Sequence, residues 1–345
     1  MRNLTITRPD DCHVHLRDGI AMAAVVADTA KRFARAIVMP NLEPPVVTTA
    51  QALKYRERIL SVLPPTARFS PLMTLYLTEN TSIDEIARAK KSGHIFAVKY
   101  YPRSATTHSD AGVTDISKVY SVLEAMVEHD LPLLVHGELI DETIDIFDRE
   151  QLFIDRVLVP LLDRFRSLRV VFEHITTREA VQFVMSGPDS LAATITPHHL
   201  LLNRNALFEG GLQPHHYCHP MPKRENDRQA LVEAATSGNP KLFLGTDSAP
   251  HSRSAKEGAS ACAGIYSANS ALELYAEVFD EAGAIDRLEE FASVFGAAFY
   301  RLPRNTDRVT LRKDAWTVPQ SLPLGDDVLI PFRAGHQCTW KLVEA

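Results

Sequence analysis

An α/β fold of the (β/α)8 TIM-barrel type is what this sequence predicts, on three observations. Short, β-branched apolar runs recur eight times. Longer stretches with helical character separate most of them. A chain of 345 residues also has the length of one large barrel domain. Several of the runs are nearly all apolar, as befits parallel strands buried on both faces.

The first run is CHVHL (12–16), followed by the Ala-rich stretch IAMAAVVADTAKRFA (20–34). RAIVMPN (35–41) is the second, and TAQALKYRERILSVL (49–63) after it carries apolar residues at helical spacing. The third, FSPLMTLYL (69–77), is interrupted by Pro71. SIDEIARAKKSG (82–93) then opens on a capping Ser and closes on Gly. IFAVKYY (95–101) leads through the polar segment PRSATTHSDAGV (102–113) to the helix-like DISKVYSVLEAMVEHD (115–130). LPLLVHG (131–137) and RVVFEHI (169–175) are the fifth and sixth runs, and LAATITPHHL (191–200), broken by Pro197, is the seventh. KLFLGTDS (241–248) is the eighth, with the helical pattern ELYAEVFDEAG (273–283) beyond it. Past Phe299 the rhythm dissolves among Pro303, Pro319, Pro323 and Pro331, with strand-like pieces such as RVTL. The expected organisation is a single barrel domain over 1–345, with 303–345 as a C-terminal extension packed on it.

Composition narrows the class. Hydrophobic residues make up 45% and charged residues 23%, in the range of a globular protein with a sizeable core. A net charge of −6 with no basic run speaks against a nucleic-acid partner, yet leaves room for an anionic small substrate held by a local field. The N-terminus lacks the apolar stretch of a signal peptide, and no run reaches membrane-spanning length, so no membrane association is expected. The four cysteines are widely spaced without a CxxC pair, which fits a reduced, cytoplasmic protein. Fourteen histidines remain to be explained.

Barrel enzymes carry their chemistry at the C-terminal ends of the strands. Those ends present His13 and His15, Lys99, His136, His174 and Asp247. In DDCHVHLRDG (10–19), His13, His15 and Arg17 occupy alternate positions, which an extended strand projects from one face. Four imidazoles and a carboxylate suit Zn²⁺ or a similar first-row ion. An ammonium does not ligate. A lysine made neutral by burial, however, can take up CO₂ as a carbamate whose two oxygens bridge two metals.

The order HxH, Lys, His, His, Asp resembles the amidohydrolase superfamily with a binuclear centre. DCHVHLRDG, IVMPNLEPPV, FAVKYYPRSATTHSDAGV, LLVHGE, FEHITT and FLGTDSAPHSRSAKE together are similar to the dihydroorotases of the single-domain bacterial kind, from about residue 10 to Tyr300. The resemblance implies two Zn²⁺ per subunit, other divalent ions being admissible. His13, His15 and Asp247 would hold one, His136 and His174 the other, with N6-carboxylated Lys99 bridging them. A metal-bridging hydroxide would attack, and Asp247 would serve as general acid and base. Arg17, Asn41 and His251 would bind the carboxylate of dihydroorotate or N-carbamoyl-L-aspartate. His136 would also contact the substrate, the backbone at His219 and Ala263 would meet the ring, and Thr106 and Thr107 would close as a lid. His219 stands where the family pattern has an apolar residue. A cytoplasmic homodimer of de novo pyrimidine (UMP) biosynthesis is implied as well.

Three other readings share parts of this pattern. A hydantoinase or dihydropyrimidinase has the same ligands without a need for the carboxylate anchors. A non-catalytic barrel homologue typically loses ligands, and all are present here. A mononuclear deaminase would not require Lys99 as a ligand. Among the remaining histidines, His94, His129 and His336 read as surface or cap residues, while for His198 and His199, at the end of the seventh run, the sequence favours packing over lining the pocket and leaves the second reading open. Cys12 and Cys262 read as packing residues.

Overall fold

Eight parallel strands follow one another around a single sheet in the computed structural model, which describes residues 2–343. The strand Asn3–Thr7 (β1) precedes it. The sheet then runs β2 (Asp10–Val14), β3 (Arg35–Val38), β4 (Ser70–Tyr76), β5 (Ile95–Tyr100), β6 (Leu133–His136), β7 (Val170–Glu173), β8 (Leu191–Ile195) and β9 (Leu242–Leu244). All neighbours pair in parallel. Closure is made just past β9: Val14 bridges Ser248. There the Asp247 N–H donates to the His13 carbonyl (2.8 Å), and the His15 N–H donates to the Ser248 carbonyl (3.0 Å). Buried Asp11 reinforces this seam by accepting from the Thr246 backbone N–H (2.9 Å) and hydroxyl (2.6 Å). Burial pushes its carboxyl up to about 7, against the pull of those bonds.

The barrel interior begins with one residue from each strand: Cys12, Ile37, Leu72, Ala97, Leu134, Val171, Ala192 and Phe243. Phe295, Phe299 and Tyr300 pack against this layer from the chain that follows the barrel. Two positions further along, alternation brings Lys99, His136, Glu173 and Thr194 inward as the next layer, nearer the carboxyl ends. Val98, Val135, Phe172 and Ile195 belong instead to the larger outer core, packed with the helices.

Local sequence accounts for most helix boundaries. Thr48 and Gln51 form a capping box at the start of Thr49–Ser61. Ser82 caps Ile83–Ser92, which Gly93 ends with φ of +70°. In the fourth helical stretch the Asp115 side chain accepts from the Ser117 N–H, so residues 116–119 wind as a tighter 3-10 turn before Tyr120–Glu128. The seventh run stops at Ile195, because Thr196 caps a short helix with Pro197 at its first position. His198 and His199 therefore sit on a helix, not at a strand end.

The helices Gly19–Arg32 and Ala271–Glu281 meet across the seam. Arg32 forks onto Glu273 with Nε to Oε2 at 2.8 Å and Nη2 to Oε1 at 2.7 Å, both side chains buried. Removing one partner leaves the other charge buried alone, so Glu273→Ala is expected to lower stability by about 3–5 kcal/mol, read from the denaturant midpoint at unchanged slope. A loss within ~0.5 kcal/mol would mean the guanidinium is resolvated in place.

The apolar rhythm predicts no element for residues 3–7, yet they form the edge of an antiparallel sheet. In it β1 pairs with β10 (Arg308–Thr317), which pairs in turn with β13 (Gln337–Val343). Between these, β11 (Leu322–Leu324) and β12 (Asp327–Leu329) make a small hairpin. Trp340, fully buried, ties the sheet into the main core together with Val309 and Leu311. Cys12, Cys218, Cys262 and Cys338 are all free thiols. Among the described residues no helix is long and apolar enough to cross a membrane.

Candidate metal centre

Four histidines meet at the carboxyl end of the barrel. The His13 ring lies 5.3 Å from His15 and 5.1 Å from His174, and the His174 ring lies 4.9 Å from His136. All four are buried, and Asp247 joins them with Oδ1 at 3.0 Å from His15 Nε2 and 3.4 Å from His13 Nε2. Not every one arrives by strand alternation. The pairing of β2 with β3 is irregular between Asp11 and Val14, which lets Cys12 and His13 both face inward. His174, one residue past β7, and Asp247, three past β9, have φ of +42° and +45°. Non-glycine residues rarely take this left-handed backbone, and here it turns the two side chains into the mouth.

Fixed partners set the ring tautomers. Asn41 donates through Nδ2 to the Thr107 carbonyl (3.1 Å), so its Oδ1 must accept from His15 Nδ1–H (2.8 Å). Glu173 Oε2 accepts from His13 Nδ1–H at 2.7 Å and from the Thr194 hydroxyl at 2.6 Å. Burial lowers the proton affinity of both imidazoles, so they are neutral, with lone pairs on Nε2. Those lone pairs face Asp247 Oδ1. Three acceptors turned on one another need a cation, and the ligand atoms of His13, His15 and Asp247 all lie within 4.8 Å of each other. On the other side His136 donates Nε2–H to Glu138 Oε2 (2.8 Å), which leaves its Nδ1 free. Gly137, between them, is required because a Cβ there would strike the Phe172 ring.

Lys99 stands fully buried within this group, its Nζ 5.0 Å from the Tyr101 ring centroid and without a hydrogen-bond partner among the described residues. Burial draws it down to about 8, while the carboxylates of Glu173 and Asp247 pull the other way. An amine so placed is anomalous unless it is neutral or chemically modified.

One cavity is lined by His13, His15, Arg17, Asn41, Thr106, Thr107, His136, His174, His219, Asp247 and Ala263, together with Tyr101, Cys218, Ala249 and Gly264, which sequence reasoning did not single out. Arg17 has φ of +58°, so the strand pattern breaks before it and it does not continue the face of His13 and His15. Its guanidinium instead crosses the mouth to His251 Nε2 at 2.9 Å and the Pro250 carbonyl at 3.3 Å. The same His251 nitrogen lies 3.1 Å from the Ala263 carbonyl, and one nitrogen cannot accept from Arg17 while donating to Ala263. The segment 102–113 is seated over the cavity, Thr107 Oγ1 donating to the Ala263 carbonyl at 3.2 Å. The His219 side chain pairs with the Tyr217 hydroxyl at 2.8 Å.

Glu138 and Glu173 hold the His136 and His13 rings and were missed, although each is adjacent to or two residues from a predicted histidine within the motifs LLVHGE and FEHITT. His94 and His336 are exposed, and His129 caps a helix end. His198 and His199 are buried but do not line this cavity.

A parallel barrel with imidazoles, carboxylates and a buried lysine at its carboxyl rim is the plan of a metal-dependent hydrolase. Residues 10–336 match the amidohydrolase family. Among curated proteins, a dihydroorotase of Methylobacillus flagellatus is 63% identical over 339 residues, covering 98% of each chain. One of Nitrosomonas europaea is 64% identical over 341 residues, with 98% of each chain covered. Among solved structures, dihydroorotase of Saccharomyces cerevisiae in complex with 5-fluoroorotic acid superposes with a TM-score of 0.93 at 32% identity, covering 99% of both chains. The chain belongs to the amidohydrolase family and, within it, to the dihydroorotases.

Proposed function

We propose that this chain interconverts N-carbamoyl-L-aspartate and L-dihydroorotate plus water, the ring-closing step of de novo pyrimidine biosynthesis. The observation that carries the reading is a single cavity lined both by metal-type donors and by Arg17, with His251 behind the guanidinium at 2.9 Å. In the hydrolytic direction water adds to the ring carbonyl carbon, the amide C–N bond breaks, and the leaving nitrogen gains a proton.

His13, His15 and Asp247 would hold one ion, and His136 and His174 a second, with Lys99 as its CO₂-derived carbamate between them. The donor set suits Zn²⁺, and other divalent ions are admissible. Bound there, the ions supply Lewis acidity and a water of lowered pKa. Asp247, which lines the cavity, would take the proton from the attacking water and return it to the leaving nitrogen. Glu173, Asn41 and Glu138 hold the imidazoles in the tautomer that points a lone pair inward.

Arg17, His251 and Asn41 take the substrate carboxylate. An anion beside Arg17 takes the guanidinium N–H that now faces His251 Nε2, freeing that nitrogen to donate to the Ala263 carbonyl. Ala263 and His219 line the same cavity, their backbone groups would meet the ring, and Thr106 and Thr107 would close above it. A homodimer belongs to the reading on resemblance, and the mass in solution tests it.

The discriminating experiment compares substrates. Dihydroorotate is expected to be hydrolysed with kcat/KM at least ~100-fold above hydantoin or dihydrouracil, because the neutral rings leave the half-buried guanidinium without its counter-charge. Comparable turnover of all three would replace this function by that of a hydantoinase.

A further inference from the structure

A second cluster of metal-type donors lies outside the centre just described. His198 and His199 stand on the short helix after β8, and Cys218 on the segment that carries His219. All three are buried, His198 completely, and their ligand atoms lie within 4.8 Å of one another. Two of them are modestly satisfied. His199 Nε2–H donates to the Pro220 carbonyl at 2.9 Å, and the Cys218 thiol points at the same carbonyl at 3.3 Å. His198 is not satisfied: neither ring nitrogen has a hydrogen-bond partner among the described residues, although its ring packs 4.5 Å from His199 and 6.3 Å from Phe332. A fully buried imidazole with both nitrogens idle is rare in folded proteins.

We infer that His198, His199 and Cys218 form a third transition-metal site, selective for a Zn²⁺-class ion and distinct from the binuclear centre. Two nitrogens and one sulfur are the donors such an ion prefers, and three protein ligands leave a fourth position open. The Cys218 Sγ to His199 Nε2 separation of 3.8 Å is close to the span of two ligands of one tetrahedral ion, about 3.6 Å from ordinary Zn–N and Zn–S lengths. Burial keeps both imidazoles neutral, the form that ligates.

Binding is balanced by one proton. The ion replaces the thiol proton of Cys218, which leaves to solvent, and sulfur becomes a thiolate ligand. His199 moves its ring proton from Nε2 to Nδ1. It then donates to the Thr196 hydroxyl, already 2.9 Å away, and frees Nε2 for the metal. Access is through the barrel mouth, because Cys218 also lines the cavity there. Occupancy would anchor the 217–220 segment from beneath, next to the wall that faces the substrate.

Sulfur makes the site separately visible. The binuclear centre offers only nitrogen and oxygen donors, so a thiolate-to-cobalt charge-transfer band in Co²⁺-loaded protein reports the third site alone. This inference is independent of the reaction proposed above and survives its failure. The full chain, stripped and reloaded with Co²⁺, is expected to show that band and to bind one more equivalent per chain than either Cys218→Ser or His198→Phe. Both variants are expected to lose the band, and Cys262→Ser to keep it. His198→Phe carries the same test should Cys218→Ser not fold. Absence of the band from loaded wild-type protein overturns the inference. So does its persistence in Cys218→Ser or His198→Phe, or its loss only with Cys262→Ser.

Discussion

Lys99→Ala is expected to cut dihydroorotase activity by more than ~100-fold, since even residues that merely orient metal ligands are worth 10–100-fold. The alanine side chain removes the amine that, as a carbamate, would supply oxygen to both ions, and it leaves a buried gap beside the Tyr101 ring. Formate, acetate or propionate added to the variant is expected to restore part of the rate. A small carboxylate fits that gap and offers two oxygens in the same place. A stability defect alone would give low activity with no dependence on added acid. Intact-mass measurement of the wild-type chain supplies a second reading, one CO₂ heavier when gently ionised and unmodified after acid. Near-normal activity of Lys99→Ala would remove the bridging role.

Arg17→Met is expected to raise KM for dihydroorotate on the order of 100-fold with a smaller change in kcat. Truncating one partner of a buried, hydrogen-bonded charge pair costs about 2–5 kcal/mol, and about 2.7 kcal/mol is a factor of 100. Methionine keeps the length of the stem and its packing, so the loss is that of the charged fork. The internal control is dihydrouracil, which lacks the carboxylate: any rate on that ring is expected to fall far less. Equal losses on both rings would mean that Arg17 shapes the mouth through Pro250 and His251 without meeting the substrate. Unchanged kinetics on dihydroorotate would take Arg17 out of the site.

The two variants probe the buried lysine beneath the cavity and the guanidinium that lines it, and how each could be foreseen differs. Lys99 and His136 follow from simple alternation. Both lie two residues beyond interior positions of their strands, so a period of two suffices to aim them inward. The eight runs and the capped helices between them were legible for the same reason, since periodicity and capping are local properties of the chain. The roles of Arg17, His251 and the lid threonines came from likeness to a family, and their contacts across the mouth depend on loops meeting from distant parts of the sequence.

Other features were closed to sequence reasoning. His174, Asp247 and Arg17 owe their directions to left-handed backbone, which no propensity assigns to these residues and which only the surrounding barrel holds in place. The inward turn of His13 rests on an irregular register between two strands. Glu138 and Glu173 look like ordinary neighbours of histidines until the barrel is assembled and their oxygens face Nε2 and Nδ1. The strand Asn3–Thr7 found its partner some three hundred residues away at Arg308–Thr317. Nothing in NLTIT announces that pairing, because its stabilisation comes from a sheet edge that exists only once both chain ends meet. The sequence by itself determined which residue types were available and how often they recur. The tertiary structure decided which of them converge, because convergence depends on backbone direction and strand register, and these are fixed by packing at long range.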